Sequence, residues 1–409
     1  MASHPFSVDF SQAWELFSGN DDGYMSLKQS YITPDHEVRS LTLATQVVEA
    51  EARKQRLANT TGVSDEPFYH VRIRSTAPLL GGVDNMKHFY VGDTAQIADA
   101  KEIKQGDTTV KKTESLTHLV VSLVAKAIAA CESGKSIIKN VHSYGMPVND
   151  AKERYTSLDM SQMKGFHEIT FLNSRFEDQV IYIHVTDTFP NPEAAQIPLA
   201  LALDFQQGSL QPTLLAVDIQ NGNFAIADLG AGTLDIAIYD GGGRIIPRPS
   251  HSIQAVSNGE QAIYFGTNHY IDRMIKATTQ HFGANNLVYM GSRERFFNKV
   301  LLPSFRATLD GQPLIFRASH QARKNEDITD LLLPILQEYA HHVEAYLNHI
   351  WDNNDEIEKF YLAGGGALFG YYFFQNLQQF TIPGEPSNIP YLNSRAYLFA
   401  YYGSAVSAV

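Results

Sequence analysis

Phe224-Ala-Ile-Ala-Asp-Leu-Gly-Ala-Gly-Thr-Leu-Asp-Ile-Ala-Ile-Tyr239 is the stretch from which the fold can be read. Apolar residues fill both flanks, while Asp228, Gly230, Gly232, Thr233 and Asp235 crowd the middle. The pattern predicts a strand, a tight turn and a second strand, because glycine reaches positive φ at a hairpin bend without steric cost. Glycine also lets backbone N–H groups approach a ligand, and clusters of such groups bind anions. Asp228, at the end of the first strand, would repel a bare phosphate. A divalent cation between them removes the conflict, since Mg2+ is usually held by one or two carboxylates plus phosphates. The stretch therefore reads as a phosphate-binding hairpin.

A second copy stands near the N-terminus, Gly19-Asn-Asp-Asp-Gly-Tyr-Met-Ser-Leu-Lys28. It has an aspartate, a glycine bend and a hydroxyl residue, Ser26, and it adds Lys28 as a point charge for a phosphate. Asp21 parallels Asp228. Two such hairpins, about 200 residues apart, suit two related halves of ordinary domain size closing on one nucleotide. A third motif is Lys359-Phe-Tyr-Leu-Ala-Gly-Gly-Gly-Ala-Leu-Phe369. Here an apolar strand runs into three glycines and a helix-like segment, which sets backbone against a flat ligand or a phosphate. Each motif taken singly could be an ordinary turn.

Together the motifs resemble the actin-like ATPase superfamily. Asp21-Asp-Gly-Tyr-Met-Ser-Leu-Lys28 is similar to its first phosphate loop, residues 228–235 to its second, and Leu362-Ala-Gly-Gly-Gly366 to its adenosine motif, in the family order. Within the superfamily the plasmid-segregation actins of the ParM (StbA) family are the nearest likeness. His88-Phe-Tyr-Val-Gly-Asp-Thr-Ala95, Ser143-Tyr-Gly-Met-Pro-Val148, Phe189-Pro-Asn-Pro-Glu-Ala194 and Pro390-Tyr-Leu-Asn-Ser-Arg-Ala-Tyr397 resemble further family segments, also in order. Two features depart from the pattern. About 17 residues, including Trp14 and Phe17, precede the first strand, and residues 214–222 look like an additional strand and turn.

The resemblance implies an α/β actin-like fold, with two ribonuclease H-like domains around a nucleotide cleft. Domain I would span 1–212, with a small subdomain at about 31–112, and domain II 213–409, with one at about 275–328. It also implies the site. Asp21 and Asp228 would hold Mg2+. Asp22, Gly23, Tyr24, Met25, Ser26 and Lys28 would contact the phosphates of ATP or ADP from the first loop, and Gly230, Ala231, Gly232 and Thr233 from the second. Gly364, Gly365 and Gly366 would face the adenosine, and Asn268 and Arg273 the base. Glu193 would orient the attacking water with help from Asp235, as phosphoryl transfer to water requires. The other reading of Glu193 is a carboxylate capping a helix N-terminus beside Pro192.

Composition fits a cytoplasmic protein. Hydrophobic residues make up 44% of the chain, and 32 basic against 44 acidic residues leave a net charge of −12. That balance argues against broad direct contact with nucleic acid, which needs a basic surface. The single cysteine, Cys131, cannot form an internal disulfide and reads as a core thiol. Neither a secretory signal nor an uninterrupted apolar run of about 18 residues is present, so no membrane association is expected.

Strands are predicted at 67–74, 88–91, 137–148, 168–172 and 180–185. Residues 101–114 read as an exposed polar loop. Leu116, Leu119, Val120, Leu123, Val124, Ala127 and Ile128 share the face of a helix. Further helices are expected near Glu193, after Gly259 through Ile263, Tyr270 and Ile275, and over 328–351. Glu132-Ser-Gly-Lys-Ser136 ends like a P-loop, but Ala129 stands where a glycine is needed and a helix precedes it. The adjacent His341 and His342 face different ways on a helix, which makes a shared metal a poor reading.

The resemblance implies a filament-forming ATPase that moves plasmid or mobile-element DNA through a DNA-binding adaptor, with hydrolysis weakening the head-to-tail contacts. The alternatives are a non-polymerising actin-fold ATPase and a small-molecule kinase. The kinase would need a catalytic aspartate facing a substrate hydroxyl, for which there is no clear candidate. Only 43 residues follow Gly366, so a chaperone-type peptide-binding domain is not expected.

Overall fold

The computed structural model describes residues 5–50, 68–94, 103–105, 112–149, 161–246, 250–258, 261–283 and 293–407, together with residues 110 and 151. Among them, eleven strands form one mixed sheet. Its order is Val38–Ala44, Ser26–Ile32, Ser18–Asp22, Ile137–Met146, Val180–Pro192, Gly165–Phe171, Phe68–Ser75, Lys87–Gly92, Gln46–Glu49 and Lys104–Gln105. Trp14–Glu15 lies along Ile137–Met146. A five-stranded sheet runs His251–Ile253, Leu234–Tyr239, Phe224–Leu229, Lys359–Ala363 and Phe380–Thr381.

The two sheets repeat one local arrangement. Ser18–Asp22 is antiparallel to Ser26–Ile32 and parallel to Ile137–Met146. Phe224–Leu229 is antiparallel to Leu234–Tyr239 and parallel to Lys359–Ala363. Asp21 pairs across its hairpin with Lys28, and Asp228 pairs across its own with Asp235. Both hairpins and the strand–helix turn at 359–369 stand where the sequence puts them, because each is fixed by local turn chemistry.

The helix Leu116–Glu132 is capped by Ser115 and buried from Thr117 to Ala130. The sequence predicts a single apolar face. The larger sheet instead meets the helix along most of its width, from Val38–Ala44 to Gln46–Glu49, and even Lys126 is enclosed. The helix is followed by a turn through residue 134, with glycine in the left-handed region, and not by a strand-supported phosphate loop. In the second half, Thr267–Phe282 and Thr329–Asp352 pack on each other over a core that includes Phe265, Met274, Leu336, Val343 and Phe360.

Several expectations are corrected. Ile263 lies in the strand Gln261–Tyr264, and the helix starts only at Thr267, after Gly266. Gly259, the expected start, lies outside the described residues. Ala216–Asn221 is a short helix, not a strand, and it leaves Leu214 and Val217 exposed. The helix expected near Glu193 is Ile197–Ala202, with Pro198 in its first turn. Lys112, placed in the polar loop, is largely buried. Cys131 is half-buried at the edge of the core.

The residues ahead of the first hairpin are packed: Phe6 lies against Tyr182, and Phe10 against Phe166 and His184. The helix Leu392–Ser407 crosses back from the second half to lie on Ser18–Asp22, Ser26–Ile32 and Ile137–Met146. A Cβ on Gly19 would meet the backbone of Ser394 and Leu398, so strand and helix are in main-chain contact there. No helix among the described residues is long and apolar enough to cross a membrane.

Candidate functional site

The two hairpins and the 359–369 turn open onto one cavity of about 350 Å³, within the usual range for small-molecule sites. Of the residues expected to meet a nucleotide, Asp21, Gly23, Tyr24, Met25, Ser26, Lys28, Glu193, Asp228, Gly230, Ala231, Gly232, Thr233, Asp235, Gly364 and Gly365 line it. Gly364 has φ +77°, and a Cβ there would fall onto Asp228 Oδ1 and lie 2.6 Å from the Leu229 carbonyl oxygen. Gly365 meets nothing within 4 Å, so its face is open to the cavity.

Four expected residues are not brought into it. Asp22 is buried behind the hairpin, where Ser122 Oγ donates to Oδ1 at 2.7 Å and His142 Nε2 lies 3.5 Å from Oδ2. Burial alone would raise its pKa, yet His142 and Ser122 hold it below the carboxylate range. Strand alternation explains this: Asp21 faces the cavity, so its neighbour faces the helix beneath. Gly366 packs towards Leu229 and Tyr339 in the core. Asn268 lies in a neighbouring cavity behind Ala231 and Gly232. Arg273 forms a bidentate pair with Glu338, at 2.6 and 2.7 Å.

The cavity is crowded with carboxylates. Burial pushes the pKa of Asp228 well up, and the charges of Asp21 and Asp235 push it further. Burial likewise raises Asp235, against hydrogen bonds from Ser252 Oγ and, at 2.8 Å, Thr233 Oγ1. Glu193 is not a helix cap. Its N–H donates to the Met146 carbonyl at 2.7 Å, and its side chain turns into the cavity. Burial raises its pKa, as do Asp235 and Asp21, while Lys112 opposes them. Repulsion of this kind is relieved by a cation, and Asp21 and Asp228, one from each hairpin, both line the cavity. Among the described residues no three metal-ligating side chains converge on a point, so phosphate and water oxygens would have to complete a shell, as is usual for Mg2+.

Three contributors escaped the sequence reading. Lys112 Nζ lies 2.6 Å from Glu193 Oε1. Asn393 Nδ2 donates to Asp228 Oδ2 at 2.5 Å, carried there by the C-terminal helix. It sits inside the 390–397 segment already singled out by resemblance, which was the available signal. Phe297, Leu302, Leu309 and Leu368 add apolar lining to the cavity, with Glu294, Asn298 and Arg306 also lining it. Asn268 and Arg273, expected at the base, are not part of this lining. Residues 297–301 are a π-helical turn, a feature often found at functional sites.

No family model and no curated protein matches the sequence. Solved structures do match. Bacillus thuringiensis ParM with ATP is 25% identical, the match covering 96% of this chain and 99% of that one, with a TM-score of 0.73. The apo form of the same ParM matches at 24% identity over 97% and 98%, with a TM-score of 0.62. The actin-like protein Alp7A is 17% identical over 96% and 97%, with a TM-score of 0.67. With 96% of the chain matched at 25% identity, the protein has the actin-like fold of ParM, and the likeness supports a place in the actin-like ATPase superfamily.

Proposed function

We propose that this protein is a Mg2+-dependent ATPase that assembles head to tail into filaments and moves plasmid or other mobile-element DNA through a DNA-binding adaptor. The observation that carries the reading is the single cavity uniting both glycine hairpins, Gly365 and six carboxylates, among them Asp21, Glu193, Asp228 and Asp235, from two halves of the chain.

Asp21 and Asp228 hold Mg2+, which neutralises phosphate charge when bound. The backbone N–H of Gly232 meets phosphate oxygens, with Ser26 and Lys28 as further donors, while the N–H groups of Gly23 and Gly230 close their own hairpins on the Asp21 and Thr233 carbonyls. The base lies against Phe297, Leu302 and Leu368, with Glu294 and Asn298 within the same pocket. Glu193 accepts a hydrogen bond from a water in line with the terminal phosphate. The water oxygen bonds to that phosphorus, the bond to the bridging oxygen breaks, and the water proton passes to Glu193. Burial and the neighbouring carboxylates make Glu193 a better proton acceptor than an exposed glutamate. Asp235, fixed by Thr233 and Ser252, aligns the far side of the water. Contacts that do not close on themselves give open filaments, and loss of the terminal phosphate loosens them. The net charge of −12 suits a subunit that reaches DNA through an adaptor.

The test is light scattering of the purified protein over a concentration series after adding Mg-ATP, with phosphate release followed in parallel. A rise above a critical concentration that decays as phosphate appears is the expected result. Glu193→Ala should lower turnover about 100-fold or more and prolong the scattering plateau. Nucleotide binding with no scattering at any concentration would leave the non-polymerising ATPase or kinase in its place.

A further inference from the structure

Lys112 has no part in the scheme above. It belongs to the short turn Lys112–Glu114 that leads into the helix Leu116–Glu132. Its side chain is 11% exposed, and its partner Glu193 is 8% exposed. The ammonium lines the same cavity as the two glycine hairpins and lies 5.3 Å from the ring centroid of Tyr24, in the first of them. Glu193 Oε1 takes one of its three donors, which leaves two able to meet oxygens entering the cavity.

This pairing conflicts with the work assigned to Glu193. A carboxylate oxygen held at 2.6 Å by a buried ammonium is a poor acceptor for a water. A terminal phosphate in the cavity brings more charge than one carboxylate and competes for the same ammonium. A diphosphate lacks that group. We propose that Lys112 senses the terminal phosphate. Its ammonium holds Glu193 while that place is empty and turns to the phosphate when it is filled, which frees Glu193 Oε1 for the water. The inference rests on the nucleotide reading of the cavity.

The experiment measures dissociation constants for Mg-ADP and for a non-hydrolysable Mg-ATP analogue with the wild type, Lys112→Met, Lys112→Arg and Glu193→Gln. Lys112→Met should weaken the analogue about tenfold or more and ADP by less than about twofold. Lys112→Arg should keep part of the preference. Glu193→Gln should tighten the analogue, because the ammonium then has no carboxylate to leave. An ion pair that merely supports the fold would weaken both nucleotides alike in both variants, and that result overturns the proposal. Thermal melts check folding. If Lys112→Met alone does not fold, the double variant Lys112→Met/Glu193→Gln removes both charges and must lose the preference relative to Glu193→Gln. A wild type that binds neither nucleotide overturns the nucleotide reading as well. A wild type that prefers the analogue, with Lys112→Met keeping that preference, overturns only the role of Lys112.

Discussion

His167 is fully buried, with Nδ1 2.7 Å from Ser75 Oγ and Nε2 2.9 Å from the Met163 carbonyl oxygen. A carbonyl can only accept, so Nε2 carries the proton and Nδ1 accepts from the serine. Burial pushes the pKa of this imidazole down to about 4, from about 6.5 in an unfolded chain. Between those values the unfolded chain takes up a proton that the folded one refuses. The stability His167 contributes is complete above pH 6.5 and is lost as the pH falls towards 4. His118 and His142 are lowered to about 4 as well, burial again being the largest cause. Replacing His167 with Gln should therefore shrink the drop in unfolding free energy between pH 7 and pH 4.5 by about 2–3 kcal/mol. Urea titrations of both proteins at the two pH values measure it, and an unchanged drop would show that His167 is not held neutral. At this same scale the site was only partly legible. Asp21, Asp228 and Glu193 announce themselves through motif position. Lys112 sits in a polar run that gives no hint of burial, and only the folded chain places it against Glu193.

Among elements, the 359–369 turn separates two neighbouring glycines by what surrounds them. Gly364→Ala would force a left-handed backbone and a Cβ onto Asp228, and should destabilise the fold by about 1–3 kcal/mol. Gly365→Ala faces open cavity, so its melting temperature should stay near wild type while nucleotide affinity falls about tenfold. Melting curves beside nucleotide titrations separate the two, and undiminished affinity in Gly365→Ala would place the ligand elsewhere. The hairpins and this turn were readable because glycine positions and apolar flanks settle them within a dozen residues. Gln261–Tyr264 was not. Its apolar residues also fit a helical spacing continuing into Tyr270 and Ile271, and pairing with Ala255–Asn258 decides the matter. Leu214 and Val217 misled in the opposite direction, since their side chains face solvent rather than a sheet core. Asp22 was misplaced for a simpler reason: one step along a strand reverses the face.

Over the whole molecule, the two sheets are tied beside the cavity by Asn149. Its Nδ2 donates to the Ser252 carbonyl at 2.8 Å, and its Oδ1 accepts from the Ser252 N–H at 3.2 Å. Ser252 in turn hydrogen-bonds Asp235. Asn149→Ala removes both bonds across the cleft and should weaken ATP and ADP by a similar factor, about 3- to 10-fold. Stopped-flow release of a fluorescent nucleotide should show the loss as faster dissociation, and unchanged release would mean the tie does not hold the cleft shut. The two-part architecture was legible from the repeated hairpins. The route of the chain between the parts was not, because no local pattern tells which sheet a terminal helix will choose. That choice bears on biosynthesis. The strand Ser18–Asp22 leaves the ribosome long before the helix that covers it, Leu392–Ser407, is made. Until then the nascent chain carries an uncovered sheet face, a natural binding target for chaperones that guard translation. A gene cut between the two halves would yield an N-terminal fragment that never acquires its cover.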